Sequence, residues 1–480
     1  MRKLTPILLA VMIAAFVGIV AMRYKTPPAP PVVAKTDAKP GGKPDGKSEG
    51  KTDAKAVGSG SGSATVDAKE TKPAPLSRPL RAVALGWEFL APGVVANDTT
   101  GGKASAFKAK NLDVSFANAS TIEEIESALA KGGAEATGAD IAIMPLSSFV
   151  GSYERLRALT PEVVFVIGWS RGREALYGTT ATALAKLPAT GTVKLAATAG
   201  RPESFFALFM LDLAGVPASR VELVQPGAAA PLSAMFRSAK LRPVGKLLVT
   251  SADTPHLVPI VAVVPHGLIT THAAQLEEWA RIWLDGVTKL QTDVPAGARL
   301  VAAQPGAPPV VGIIEGLGQI EFASLRENAI AAGLSGRGQL TLDENFRTTW
   351  RIYRDAGLLT TPPPEVAPLY PGTITALVRM DPAEAQTARP PTAAPATDKR
   401  PAVLLVARGP VVAKPDADAW IARVGFLASV FDRLPLRIAM KDNPKLAQQV
   451  ADAAREQFNL RAGQVVAGKG ANTVEVLSAP

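Results

Sequence analysis

Short buried-type strands alternate with amphipathic helices along most of this chain, and this alternation limits the possible folds more than any other feature. From Arg78 onward, apolar runs such as Leu80–Gly86 and Asp140–Pro145 precede segments with helical spacing. Thr121 and Glu124 have the spacing of a capping box at the start of one such helix. Further strands are predicted at 112–116, 163–168, 193–197, 220–224, 247–251 and 258–264, and helices at 121–130, 203–214, 273–290 and 345–356. This order predicts an α/β fold with a largely parallel sheet.

A Pro-, Ala- and Thr-rich linker at 381–400 separates a main domain, residues 79–380, from a small C-terminal module, residues 401–480. The module has strand patterns at 402–407, 436–440 and 464–466, and helix patterns at 417–431 and 444–458. Its predicted element order is therefore βαβαβ.

The N-terminus predicts a membrane anchor followed by a tether. Leu4–Met22 is a run of nineteen uncharged residues, close to the roughly 20 apolar residues that span a bilayer as one helix. Residues 1–23 are therefore expected to form a transmembrane helix, and residues 24–78, rich in Lys, Pro, Gly and Ser, a disordered linker. A cleaved signal peptide is the alternative. The apolar region of a signal peptide is about 7–15 residues, which is shorter than this run, and Val20–Tyr24 is a poor cleavage site. Two basic residues lie on each side of the run, so their asymmetry is weak; the N-terminal amine and the short leader favour an N-terminus inside the cell.

Composition excludes several classes of function. The chain of 480 residues has no cysteine, which rules out disulfides, thiolate metal sites and thiol catalysis. The net charge of +10 is spread along the chain without a dense basic and aromatic patch, so no nucleic-acid partner is expected. The histidines, His256, His266 and His272, do not have metal-site spacing, and no catalytic motif is present. We therefore expect no metal, no cofactor and no enzymatic activity.

Four segments of the main domain resemble a known family. They are Gly86–Glu88 after the first strand, Gly138–Ile143, Ala197–Pro217 and Val264–Ile269. In their order and spacing, residues 79–375 resemble the type II periplasmic substrate-binding proteins of ABC importers, particularly the nitrate, sulfonate and taurine branch. The resemblance implies two lobes joined by two crossovers, with lobe I at 79–165 and 265–375 and lobe II at 166–264.

In open α/β sheets, ligands bind beyond the carboxyl ends of the strands. Loops at these ends, together with the resemblance, predict the ligand-binding residues Trp87, Glu88, Ser147, Trp169, Arg171, Thr198, Gly200, Arg201 and Ser251. A helix that starts after Gly200 would direct its N–H groups at the cleft, and Arg171 and Arg201 could add charge-assisted hydrogen bonds. These groups suit a small anion or a carboxylated or sulfonated metabolite. The alternative is that the two tryptophans are core residues and the two arginines are solvated.

The C-terminal module resembles the OmpA-like peptidoglycan-binding domain at Asn443–Leu446, Val450–Ala453 and Val465–Gly470. That family holds peptidoglycan with an Asp in a loop and an Arg in the following helix. Here Val450 stands at the Arg position, and the shortened loop leaves Asp442 as an approximate substitute. The resemblance therefore implies a degenerate module with weak peptidoglycan binding at most.

Together these features predict a solute-binding protein that is anchored in the inner membrane, faces the periplasm and delivers a small solute to an ABC permease. The alternative is a structural or sensing protein of the cell envelope, which would contact the wall through its C-terminal module.

Overall fold

The computed structural model describes residues 76–478 except 181–183, 185–186, 188–189, 238–244, 337–339, 388–402, 410–415 and 442. The expected membrane helix, nearly all of the first linker, most of the second linker and Asp442 lie outside these residues. Among the residues that are described, no helix is both long and apolar enough to cross a bilayer.

The described chain folds into strands and helices in alternation. The strands are β1 Leu80–Ala84, β2 Val114–Asn118, β3 Ile141–Pro145, β4 Pro161–Ser170, β5 Glu174–Gly178, β6 Val193–Ala196, β7 Val221–Val224, β8 Leu232–Phe236, β9 Lys246–Thr250, β10 Pro259–Pro265, β11 Ile320–Phe322, β12 Val403–Arg408, β13 Leu436–Ala439, β14 Val465–Gly468 and β15 Thr473–Leu477. The helices are α1 Trp87–Ala96, α2 Ile122–Lys131, α3 Leu146–Leu156, α4 Pro202–Leu213, α5 His266–Thr292, α6 Val294–Ala302, α7 Val310–Leu317, α8 Leu325–Ala331, α9 Leu342–Asp355, α10 Gly372–Met380, α11 Ala417–Val430 and α12 Pro444–Phe458. The α/β class predicted from the sequence is confirmed.

The sheet of lobe I has the strand order β11-β4-β10-β3-β1-β2 in the described chain. Strands β3 and β4 are buried along nearly their whole length, as expected where helices cover both faces of a sheet. The prediction of a largely parallel sheet was wrong. Strand β10 runs antiparallel to both β3 and β4, because the chain returns from lobe II and enters this sheet from the opposite end.

The sheet of lobe II has the order β7-β6-β8-β5-β9, and β5 is antiparallel to both of its neighbours. The chain passes from β4 to β5 through residues 171–173 and returns from β9 to β10 through residues 251–258. These two crossovers join the lobes. The lobe boundaries expected at 165/166 and 264/265 fall inside β4 and β10, which belong to the lobe I sheet.

The C-terminal module has one more strand than the βαβαβ order predicted. Strand β15 lies between β12 and β13 and is antiparallel to both, so the order of elements is βαβαββ and the strand order is β12-β15-β13-β14. Strand β15 was not predicted, although Thr473–Leu477 alternates polar and apolar residues; its place inside the sheet depends on pairing with strands far away in sequence. Val450 of α12 is fully buried in the module, so its side chain does not face a wall-binding surface.

The module packs directly against both lobes. The ring of Phe426 in α11 lies 6.4 Å from that of Phe209 in α4 of lobe II. Arg433 donates to both carboxylate oxygens of Glu321, in β11 of lobe I, at 2.6 and 2.7 Å. The cores of lobe II and the module are continuous, so the module is a third body that bridges the lobes.

Candidate functional site at the interlobe cleft

The lobes meet where helices α3 and α4 begin, and we call this region the interlobe cleft. Helix α3 of lobe I starts directly after β3, and α4 of lobe II starts after Arg201. A Cβ atom on Gly151 of α3 would lie 3.7 Å from the Tyr353 ring and 4.0 Å from the Gly200 carbonyl oxygen. The ring of Tyr353, in α9, also contacts that of Phe205 edge to face at 6.1 Å. Helix α3 and the start of α4 therefore border one buried region around Tyr353. At the start of α4, Pro202 has no N–H, and the N–H groups of Ser204 and Phe205 donate to the Arg201 carbonyl.

Several buried polar atoms in this region have no hydrogen-bond partner among the described residues. They are the hydroxyls of Ser147, Ser148 and Tyr353, and Oε2 of Glu203. Ser147 and Ser148 are 2% exposed, Tyr353 is 0% exposed and Glu203 is 7% exposed. Because buried polar groups are nearly always hydrogen-bonded, a cluster without partners indicates a place for a bound molecule or for water.

Glu203 is a buried carboxyl of the cleft with a strongly raised pKa. Burial raises its pKa to about 7, its own backbone N–H opposes this shift, and the nearby Glu174 adds to it. The positive charges of Arg201 and Arg173 lower the pKa of Glu203. Burial likewise raises the pKa of Tyr353. An interaction with the Ser147 hydroxyl lowers this pKa, and the negative charge of Glu203 raises it further. Ser147 is therefore a neighbour of Tyr353, and Glu203 is close enough to act on Tyr353 electrostatically, although the three residues come from three different helices.

Glu88 and Arg173 form an ion pair across the edge of the cleft. Nη1 of Arg173 donates to Oε1 of Glu88 at 2.6 Å, and both side chains are less than one-fifth exposed. The guanidinium also lies 4.8 Å from the ring centre of Phe89 in lobe I and 5.3 Å from that of Phe236 in lobe II. Arg173 therefore contacts both lobes beside the first crossover and is already paired with a carboxylate.

Ser251 ties the two crossovers together. Its Oγ accepts hydrogen bonds from the backbone N–H groups of Gly172, at 2.9 Å, and Glu174, at 3.3 Å. The Ser170 hydroxyl donates to the fully buried Glu174 carboxylate, whose pKa burial raises. The Ser251 hydroxyl therefore holds the second crossover to the first, and its acceptor sites are already used by these hydrogen bonds.

The other predicted residues of the cleft lie at its rim or beneath it. Trp87 and Glu88, expected in a loop, occupy the first turn of α1, and the Trp87 indole is buried with no partner for its N–H among the described residues. Thr198 is exposed, and Gly200 has φ = +72°, a left-handed conformation that favours glycine at this turn. Arg201 is half-buried directly before α4, and its positive charge lowers the pKa of the carboxyl groups of both Glu203 and Glu123.

Trp169 and Arg171 lie on a different side of the first crossover. Trp169 stacks edge to face on His256 at 5.1 Å and lines a cavity of about 180 Å³ that also contains Arg433 of the C-terminal module. Arg171 lines another cavity, of about 480 Å³, with residues of α7 and β11. Burial lowers the pKa of Arg171, and Glu321 counteracts this effect. The contacts of these two side chains join them to β11 and the module rather than to α3 and α4.

Sequence reasoning missed the residues that give the cleft its chemistry: Ser148, Arg173, Glu174, Glu203 and Tyr353. One signal was available for Glu203, since it is an acidic residue in a segment, Pro202–Leu213, that is otherwise almost wholly apolar or small. No such signal exists for Tyr353, which reaches the cleft from an amphipathic helix about 150 residues further along the chain. Within the described residues, no group of three or more potential ligands could hold a metal ion.

Comparison with known proteins gives similarity of fold only. No protein family model and no curated protein matches the chain. Among solved structures, a sulfonate-binding protein of Methylobacillus flagellatus is 14% identical, with 63% of this chain and 94% of that chain covered and a TM-score of 0.45. The ligand-binding component of an ABC-type import system from Staphylococcus aureus is 9% identical, with 62% and 98% covered and a TM-score of 0.43. An alkanesulfonate-binding protein of Xanthomonas axonopodis is 12% identical, with 62% and 99% covered and a TM-score of 0.42. These similarities do not identify a solute for this chain.

Proposed function

We propose that this protein is a non-enzymatic, extracytoplasmic solute-binding protein that closes its two lobes on a small polar molecule. The observation that carries the proposal is the interlobe cleft itself. Buried hydroxyls with no partner among the described residues, from the start of α3 and from α9, lie beside the start of α4 where two chain crossovers join the lobes. Such a junction allows a hinge motion, and a solute that contacts both lobes would favour the closed form.

The proposal includes an anionic group on the solute, either a carboxylate or a sulfonate. The first turn of α3 offers N–H groups, Ser147 and Ser148 offer hydroxyls, and Arg201 is a half-buried cation directly before α4. An ABC permease is the proposed partner, and Leu4–Met22 is the proposed anchor in the inner membrane.

Native mass spectrometry of the purified full-length protein tests the proposal, since a solute held between closed lobes should survive purification. We expect one added mass that disappears on denaturation, and a thermal shift with at least one member of a panel of carboxylates, sulfonates, nitrate and phosphate. Ser148→Ala should weaken binding, whereas Ser429→Ala, which changes a buried serine of the C-terminal module, should not. Absence of both the added mass and any thermal shift would reject solute binding.

A structural or sensing role in the cell envelope is the second candidate, and the docking of the C-terminal module on both lobes favours it. A module bonded to both lobes would restrain their motion, as suits a rigid scaffold. Weak peptidoglycan binding belongs to this candidate. Co-sedimentation of the full-length protein with purified sacculi tests it, and a solute-dependent change in that binding would point to sensing.

A further inference from the structure

Arg171 carries a buried guanidinium for which the described chain supplies no hydrogen-bond acceptor. The residue is 6% exposed, and its Nε has no hydrogen-bond partner among the described residues. Its backbone N–H, by contrast, donates to the Gln319 carbonyl at 2.8 Å. A guanidinium has five N–H donors in a planar fork and cannot accept a hydrogen bond. Because buried polar groups are nearly always hydrogen-bonded, the side chain indicates a bound molecule that offers acceptors beside it.

The nearby carboxylates are bonded to other groups. Both oxygens of Glu321 accept from Nη2 of Arg433, at 2.6 and 2.7 Å. Oε2 of Glu327 accepts from the N–H and the hydroxyl of Ser324, which it caps at the start of α8. Burial lowers the pKa of Arg171, the charge of Glu321 raises it, and the like charge of Arg433 lowers it again. One carboxylate therefore lies between two guanidinium groups, and this balance favours an added anion.

The space beside Arg171 is a cavity of about 480 Å³ in lobe I. Its size is typical of sites for small molecules. Four apolar side chains of its wall are at most 7% exposed: Leu290, Leu317, Ile320 and Phe322. Ile314 of α7 also lines the cavity and is 41% exposed, so the apolar wall reaches solvent there. None of the described residues that line this cavity belongs to α3, α4 or α9, which border the interlobe cleft.

We propose that this cavity is a second ligand site, separate from the interlobe cleft, which binds a free fatty acid of medium chain length. The carboxylate accepts from the Arg171 guanidinium, and the alkyl chain lies along Leu290, Ile314 and Leu317. A carboxylate matches the guanidinium fork because it can accept two parallel N–H bonds. An unbranched chain without further polar groups matches walls that are mainly apolar. The site goes beyond the proposed function, because it requires no lobe closure and no residue of the cleft.

Calorimetric titration of the full-length protein tests the site. The probes are butyrate, hexanoate and octanoate, which differ in chain length, and 1-octanol, which has the chain without the charge. We expect one octanoate per protein chain and an affinity that rises about fourfold for each added methylene, because each methylene leaves water on binding. 1-Octanol should bind about 10-fold more weakly than octanoate or less tightly still, because it lacks the charge-assisted hydrogen bonds.

Two variants with matched controls locate the site. Arg171→Met removes the charge and should weaken octanoate binding about 10- to 100-fold. Arg299→Met changes an exposed arginine of α6 outside the cavity lining and should bind octanoate as the wild type does. Ile314→Ser should weaken binding about 3- to 10-fold. Val311→Ser, at a 78% exposed position of the same helix outside the lining, should not.

Thermal denaturation without ligand separates a binding role of Arg171 from a structural one. Arg171→Met should denature at the wild-type temperature or above it, because the variant removes a buried charge that lacks an acceptor. A large fall in this temperature would show that the guanidinium stabilises the fold. Ile314→Ser then decides the proposal, since this partly exposed position tolerates a polar residue, and unchanged octanoate binding in it would reject the site.

The other outcomes are equally distinct. Absence of octanoate binding, or equal binding to the wild type and Arg171→Met, would overturn the proposal. Equal affinity for octanoate and 1-octanol would reject the carboxylate contact. Weaker binding to Ser148→Ala, with binding to Arg171→Met unchanged, would assign the fatty acid to the interlobe cleft and reject the second site. The cleft itself is tested by the native mass measurement, so each proposal can fail without the other.

Discussion

At the scale of single residues, Glu203 couples the cleft to pH. Its pKa is about 7 in the folded protein and 4.5 in a model peptide. Between these two values the folded state binds more protons than the unfolded state, so stability falls as the pH rises from 4.5 to 7.

Glu203→Gln should remove this loss, because the amide never ionises. We expect the variant to have the same pH dependence as the wild type below pH 4.5 and to be relatively more stable by up to about 3 kcal/mol at pH 8. Urea denaturation at pH 4.5 and pH 8 measures the difference. Glu365→Gln should show no such gain, and an equal gain in both variants would contradict the assignment to Glu203.

Two buried serines provide a second comparison at this scale. Ser251 accepts backbone hydrogen bonds at the crossovers, whereas Ser147 in the cleft has no partner among the described residues. Ser251→Ala should destabilise the protein by about 1–3 kcal/mol, because it leaves buried N–H groups unpaired. Ser147→Ala should change stability by less than about 0.5 kcal/mol and should weaken solute binding instead. Thermal denaturation in the absence of solute checks this order, and the reverse order would show that Ser147 is the structural residue.

At the scale of elements, α12 shows why a sequence match does not locate a binding site. The resemblance placed a ligand-binding arginine at the position of Val450, but that side chain is fully buried against the module's sheet. An arginine there would have to bury its charge or break the packing of α12.

Val450→Arg should therefore unfold or loosen the C-terminal module, at a cost of several kcal/mol. Gln449→Arg, one residue earlier and exposed, should be nearly neutral. Limited proteolysis of the full-length protein, read for cuts within residues 403–478, measures the effect. A stable Val450→Arg variant that gains peptidoglycan binding would show that α12 presents this position to the surface.

At the scale of the whole molecule, the C-terminal module connects the two lobes. Its Phe426 packs on lobe II, and its Arg433 is paired with Glu321 of lobe I, with both charged side chains mostly buried. A hinge motion that separates the lobes therefore has to break one of these two contacts, or the module has to move with one of the lobes.

Arg433→Ala should release the module from lobe I at a cost of about 1.5–3 kcal/mol, the range for a hydrogen bond to a charged group. Hydrogen exchange should then accelerate in β11 and in the crossover at 171–173, and solute exchange should become faster. Arg437→Ala, which removes an ion pair with Glu475 inside the module's own sheet, is the control and should leave both crossovers protected. Unchanged exchange in Arg433→Ala would show that the module does not restrain the lobes.

Much of the secondary structure was predictable from the sequence, because it depends on residues that are neighbours along the chain. The apolar strands β1, β3 and β4, the turn at Gly200 and the Thr121 cap of α2, whose Oγ1 accepts from the Glu124 N–H at 3.2 Å, follow from local pattern. The insertion of β10 and β15 into their sheets, the direction of the Arg171 side chain and the burial of Glu203 depend on partners far along the chain. Strand pairing and burial depend on tertiary contacts between segments that are distant in sequence, and a local pattern does not show which segments will be in contact. The sequence alone therefore determined the α/β class and the positions of many strands and helices, and only the tertiary structure decided which side chains meet between the lobes and that the third body bridges them.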